Sequence, residues 1–353
     1  MTQAQKMVNL ALQGGGSHGA FAWGVLDRLL EDGRLGIEGI CATSAGTMNA
    51  CVLASGMQRG GPEGARKALH DFWRDIHRAG SIFNPVRRNL WERFLGIGME
   101  HSIAYNYFDS LTRVFSPYQF NPFDINPLRS VLSDAVDFDA LRHCDRVKLF
   151  ISTTQVKTGK VRVFDTPNIT LDVAMASACL PFLFKAIEID GEDYWDGGYV
   201  GNPALFPLFY ETNTRDVVIV HINPMVRSKT PKTAPDIMNR LNEISFNTSL
   251  LKEMRAIAFV KKLIEHDMLK DEYQSQFKDV LVHSVRADKD LCEFSVASKL
   301  DSSWKFLTEL RDRGRDRMGL WLEENYDAIG ERDTVDLHEE FLNSTTKIFN
   351  RLS

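Results

Sequence analysis

The 353-residue sequence predicts an α/β fold: a three-layer sandwich with a mostly parallel central sheet, followed by a mainly helical C-terminal extension. Three observations carry this reading. Strand-like and helix-like patterns alternate through the first half, as they do where a parallel sheet is covered on both faces. The first two apolar runs, about 7–13 and 37–43, each end in small residues that lead straight into a helix-forming run. Beyond Pro224 the pattern turns mainly helical. The division that follows is a catalytic-type α/β domain over 1–224 and a helical region over 225–353 packing on it.

Composition narrows the function classes. A chain of this length can bury a sizeable core. With 42 basic and 47 acidic side chains, a formal charge of -5, it offers no basic patch for nucleic acid and no global attraction to an anionic membrane. Membrane contact would have to be local and transient. No apolar run reaches the roughly 18 to 20 residues of a membrane span. Residues 1–6 are polar, and the apolar run after them is too short for a signal peptide, so a cytoplasmic protein, at most peripheral to a membrane, is expected. Cys41, Cys51, Cys144, Cys179 and Cys292 are odd in number and scattered, with no Cys-x-x-Cys for redox chemistry or zinc.

The first strand closes on Gly14-Gly15-Gly16-Ser17-His18-Gly19, and residues 20–30 follow with apolar positions at helical spacing. Glycines without Cβ let backbone N–H groups point into one small space at a helix N-terminus, where developing negative charge is stabilised. Gly14, Gly15 and Gly16 are thus candidate oxyanion donors. Gly14, Gly16 and Gly19 also satisfy the dinucleotide fingerprint, but that reading wants a carboxylate at the end of the second strand. Here that strand ends in Ala42-Thr43-Ser44, with Glu38 at its beginning. No Gly-Lys-Ser/Thr follows, which disfavours a P-loop.

The second strand ends at Cys41-Ala42-Thr43-Ser44-Ala45-Gly46, and a helix-forming run, 45–57, begins there. A serine at a sharp strand-to-helix junction has its hydroxyl pushed out of the sheet, with small neighbours because the backbone crosses closely. Ser44 is the candidate nucleophile. A helix over about 63–78 carries Leu69, Phe72, Trp73 and Ile76. From Ser81 to Asn126 prolines interrupt a stretch rich in aromatics, including Phe94, Tyr105, Tyr107, Phe108, Phe115, Tyr118, Phe120 and Phe123. Two readings fit it: a peripheral helical excursion on the core, or a cap over an acyl-chain pocket that touches lipid.

Asn126-Pro127 reads as a helix start with proline at the first position, running to about Val136. A strand over 147–156 and another over 161–165 make a hairpin across Lys157-Thr158-Gly159-Lys160. A buried helix over 170–180 stops before Pro181. A further hairpin, 187–189 with 192–194, delivers Asp196-Gly197-Gly198, an aspartate whose C-terminal side is left open by two glycines. The last core strand is 216–222. After a polar linker, 226–234, come a long helix over 235–268, a strand over 280–285, and helices at about 303–328 and 334–349. The mixed charges of 305–317 suggest a solvated helix face.

The glycine loop, the serine elbow and the Asp-Gly-Gly turn, in this order, together with residues 176–184 upstream of the aspartate, resemble the patatin-like phospholipases, bacterial-type serine lipid acyl hydrolases. The resemblance covers roughly residues 7–222. It implies a lipid acyl hydrolase of the phospholipase A kind, with Ser44 and Asp196 as a catalytic dyad, an oxyanion hole from the glycine loop, a lipid or acyl-ester substrate, and no metal or cofactor. Ser44 would attack the ester carbonyl while Asp196 takes its proton and returns it to the leaving alcohol. Burial near Trp195 and Tyr199 would raise the carboxylate's proton affinity for that task. Two departures stand out. Ala42 occupies the usual first glycine of the elbow, and His18 stands where arginine or lysine is common; near pH 7 it would be mostly neutral unless its surroundings raise its pKa. Rival readings are a Ser-His-Asp esterase with His221 as base, a dinucleotide-binding oxidoreductase, and an inactive lipid-binding scaffold. Homo-oligomerisation stays open.

Overall fold

The computed structural model describes residues 5–83, 111–112, 114–227, 230–270 and 277–342. Its centre is an eight-stranded sheet: β1 Lys6–Leu12, β2 Leu35–Ala42, β3 Lys148–Gln155, β4 Val161–Asp165, β5 Ile187–Ile189, β6 Glu192–Asp196, β7 Asp216–His221 and β8 Leu281–Arg286. The strands run in the order β5-β6-β3-β2-β1-β7-β8, with β4 on the free edge of β3. The pairs from β3 through β2, β1 and β7 to β8 are parallel, and those of β3 with β4, β3 with β6 and β5 with β6 are antiparallel.

Strand alternation sorts the core into two layers. Leu10, Leu12, Ile40, Val218 and Val220 face helices α1 Gly19–Asp32 and α2 Ala45–Phe83. Ala11, Cys41, Val217, Ile219 and Val282 face the other way, against Leu205, Leu208 and the inner side of the long helix. Both faces are covered, which is why the central strands read as continuous apolar runs. α2 breaks at Gly60 and Gly61 and resumes at Pro62, so the two helices expected over 45–57 and 63–78 meet there almost without a loop. Helix α3, Pro127–Ala135, starts on the Asn126 cap, whose side chain accepts from the Leu128 amide at 3.2 Å. α4 is Leu171–Ser177, shorter than the sequence suggests.

The C-terminal part departs most from expectation. Beyond α5, Ala234–Glu265, the strand β8 joins the sheet in parallel beside β7, so β7 is not the last core strand. Helix α6, Trp304–Asn325, lies across α1 at a glycine contact: a side chain at Gly24 would collide with the Arg311 carbonyl, and one at Gly314 with that of Phe21. Its Leu307, Leu310, Met318 and Leu322 are buried. The charges of 305–317 are paired rather than simply solvated: Arg315 binds Asp27 and Glu31, Arg313 binds Glu309 and Glu293, and Arg317 binds Asp290. The helix expected over 334–349 is, in its described part, only a π-turn, His338–Leu342; residues 343–349 lie outside the described residues.

Candidate active site

The sheet register brings the elbow and the aspartate together. β4 holds one edge of β3 along Phe150–Thr154. On the other edge β2 pairs with Lys148–Ile151 and then leaves, and β6 takes over at Thr153–Gln155. Ala42 stands opposite Ile151 and Asp196 opposite Thr153. Asp196 therefore occupies the place that residue 44 would hold had β2 run straight on. Instead the chain turns at Ser44, whose φ of 54° is left-handed for a residue with a Cβ. Such a backbone persists only where its surroundings hold it. The Ser44 amide donates to Ser177 Oγ at 3.0 Å, Thr43 Oγ1 donates to the Gly201 carbonyl at 2.7 Å, and Gly46 backs onto the end of β1 with no room for a Cβ.

Asp196 is fully buried and pinned through its backbone: its amide donates to the Cys179 carbonyl at 2.8 Å, and its carbonyl accepts from Thr154 Oγ1 at 2.7 Å. Oδ1 accepts the Gly198 amide at 2.7 Å, and Oδ2 holds no hydrogen bond of full geometry. Burial pushes the carboxyl pKa up to about 7, against the Gly198 amide, the hydrogen-bonding Ser44 hydroxyl and the Lys299 charge, which all favour the ionised form. An aspartate of this kind can exchange a proton near neutral pH.

The glycine loop lies against the serine. A Cβ at Gly14 would stand 2.6 Å from Ser44 Cβ. The Gly14 amide, counted in the sequence among the oxyanion donors, is directed elsewhere: it donates to Asn202 Oδ1 at 2.7 Å. A buried amide needs an acceptor in the resting protein, and Asn202, itself fully buried, supplies one. Among the described residues the amides of Gly15 and Gly16 donate no hydrogen bond. The Gly14 carbonyl is held by Asn223 Nδ2 at 2.7 Å, and Gln13 Oε1 accepts from the amides of Ile222 and Asn223 at 3.0 and 3.1 Å. Asn202, Ser177, Gln13 and Asn223 carry no signal in the sequence, because single polar residues at strand ends, at a helix end and in a loop form no pattern.

His221 is brought to none of these groups. It is buried at the end of β7, and burial followed by the Arg286 charge lowers its pKa to about 3. No hydrogen bond joins it to Ser44 or Asp196 among the described residues. His18 is neutral as well: burial, then the charges of Lys299 and Arg227, lower its pKa to about 3, and its Nε2 hydrogen-bonds with Ser298 Oγ at 2.7 Å. Among the described residues no three His, Cys, Asp or Glu side chains are grouped for a metal ion, and no helix is long and apolar enough to cross a membrane. A polar cleft lined by Asp27, Arg66, His70, Arg311 and Arg315 contains none of the site residues; Arg66 and Arg315 are engaged with Asp27 and Glu31, and Arg311 with Asp312.

A family model described as patatin-like phospholipase matches residues 10–209, more than half of the chain and the segment from the end of β1 through Asp196. The chain belongs to the patatin-like phospholipase family. That membership supports lipid acyl hydrolase activity. No curated protein matches. Among solved structures, VipD from Legionella pneumophila is 14% identical with a TM-score of 0.44, over 96% of this chain and 73% of that one. ExoU from Pseudomonas aeruginosa, in complex with SpcU, is 16% identical with a TM-score of 0.33, over 91% of this chain. The chain spans 53% of the length of ExoU. In this patatin-like chain the alanine at the elbow is accommodated: Ala42 is fully buried and in register between Leu12 and Ile151. Of the aromatic excursion, Phe94, Tyr105, Tyr107 and Phe108 lie outside the described residues, whereas Phe115, Tyr118 and Phe123 are exposed.

Proposed function

We propose that this patatin-like chain is a phospholipase A-type serine hydrolase in which Ser44 is the nucleophile, Asp196 the general base, and the amides of Gly15 and Gly16 the oxyanion donors. The observation that carries the reading is the buried Asp196 beside the left-handed Ser44, with a carboxyl titrating near neutrality. Ser44 Oγ attacks the ester carbonyl carbon as its proton passes to Asp196. The carbonyl oxygen, now an alkoxide, takes hydrogen bonds from the two amides that have no partner in the resting protein. Collapse of the tetrahedral intermediate expels the alcohol, which leaves with the proton held by Asp196. Water, deprotonated by the same carboxylate, then releases the fatty acid and restores Ser44. The substrate is a lipid ester approached from a local membrane contact, to which the exposed Phe115, Tyr118 and Phe123 offer apolar surface.

A fluorophosphonate probe tests the reading. Labelling of the wild type that disappears in Ser44→Ala supports it. Labelling that persists in that variant, or none in the wild type, sets it aside.

A further inference from the structure

Lys299 lies 90 residues beyond the end of the family match at residue 209, yet its neighbours are the glycine loop and the Asp-Gly-Gly turn. The short helical segment Val296–Leu300 rests on the loop so tightly that a side chain at Gly16, whose φ is +58°, would collide with the Lys299 carbonyl. Next to it, Ser298 holds His18. The Lys299 ammonium donates to Asn223 Oδ1 at 2.8 Å and reaches Asn242 Oδ1 at 3.5 Å; both acceptors are neutral. Asn223 in turn grips the Gly14 carbonyl. The ammonium also lies over the Phe246 ring, 5.4 Å from its centroid, and that ring packs against Gly198 and, at 5.5 Å, Tyr199.

Among the described residues no carboxylate pairs directly with this cation. Glu243, the acidic group of α5 on this side, is held by Arg227 and by Arg240, and among the described residues Lys299 forms no salt bridge. Its charge is felt by Asp196, by Glu243 and, repulsively, by Arg227 and His18. Asp196 is faced by Ser44, Gly198 and Lys299, with Cys179 and Tyr199 beside it. We infer that Lys299 is a positioning residue of the active site: it clasps Asn223 against the glycine loop and sets a positive charge on the side of Asp196. The inference rests on the proposed dyad. Burial lowers the pKa of Lys299 to about 8, which leaves it largely charged at neutral pH. Since His18 is neutral, Lys299 is the cation that acts on Asp196.

The test is kcat/KM on a short-chain ester from pH 5 to 10 for the wild type, Lys299→Met and Lys299→Arg. The wild-type rate should rise through an ascending limb near pH 7, where Asp196 ionises. A cation near a carboxylate favours its ionised form and lowers its pKa. Lys299→Met should therefore move the limb up; a rise of about one unit loses about 5-fold at pH 7 and is almost fully recovered at pH 9. Lys299→Arg should keep the wild-type limb. If the Met variant does not fold, Lys299→Gln, which retains a donor for Asn223 without the charge, is read in its place with the same shift expected. An unmoved limb, including a loss equal at every pH, overturns the inference while leaving the dyad intact. A wild type that neither labels with fluorophosphonate nor hydrolyses the ester takes down both.

Discussion

The Ser44 amide is hung from the hydroxyl of Ser177, the last residue of α4, at 3.0 Å. Ser177 Oγ also takes a hydrogen bond from Thr47 at 2.8 Å and donates to the Ser152 carbonyl at 2.8 Å, so one hydroxyl ties the elbow to β3. Ser177→Ala strands the buried Ser44 amide, a loss of about 1–3 kcal/mol. The melting temperature should fall accordingly, and turnover should fall with it because Ser44 is no longer held in its left-handed backbone. Thermal unfolding and ester hydrolysis of the same sample read both effects; unchanged values in both would remove Ser177 from the scaffold of the elbow.

Gly15 and Gly16 differ in what a methyl group would meet. At Gly15 it faces the movable end of the Ile222 side chain at 2.9 Å, whereas at Gly16 it faces the Lys299 backbone carbonyl in a left-handed conformation. Gly16→Ala must therefore displace the loop, and removing oxyanion donors costs roughly 10²–10³-fold in kcat. Gly15→Ala is expected to be milder. The reverse order, measured as kcat on one ester, would indicate that Gly16 does not shape the oxyanion site.

Much of this site is legible in the sequence, because each of its three pieces is locally coded. Ser44 needs small neighbours, the loop needs glycines, and Asp196 needs an open turn after it, so each leaves a mark within a few residues. The strands are legible for a similar reason, since burial on both faces leaves an apolar run within each of β1, β2, β3 and β7. What could not be read depends on distant partners. Nothing in Gly14 tells that its amide goes to Asn202, and nothing around Lys299 tells that it lands on the loop. Likewise β8 has an ordinary strand pattern, and only its pairing with β7 makes it core.

Asp196 should cost the fold stability at neutral and higher pH. Its folded pKa, about 7, lies above the ordinary carboxylate value of 3.8, so its protonated form is favoured by folding. That stabilisation is complete below the unfolded pKa and is lost as pH rises through the folded one. Asp196→Asn, which stays neutral, should therefore melt higher than the wild type at pH 8, with the gap closing toward pH 4. Glu253, also pushed by burial to about 7, titrates in the same window in both proteins and cancels in the difference. A gap that does not vary with pH would show that Asp196 is not buried as a charge.

Phe115 and Phe123 are exposed aromatics on the segment next to the Leu180–Ala186 loop, where Lys185 donates to the Pro122 carbonyl at 2.7 Å and Tyr118 accepts the Ala186 amide at 3.3 Å. If they meet lipid, the Phe115→Ser/Phe123→Ser variant should lose activity on long-chain phospholipid vesicles by about 10²-fold or more, as expected from roughly 1.5–3 kcal/mol for each of two aromatic side chains buried. Activity on a soluble short-chain ester and the melting temperature should barely change. Equal loss on both substrates would assign these side chains to the fold instead.

Fatty-acid release from phospholipid by wild type, Ser44→Ala, Asp196→Asn and the double variant tests the dyad most directly. Residues that act as one unit lose activity non-additively, so each single variant should fall to background and the double variant should be little worse than either. Substantial turnover by a folded Asp196→Asn protein, or losses that multiply in the double variant, would contradict a mechanism in which Asp196 takes the proton of Ser44.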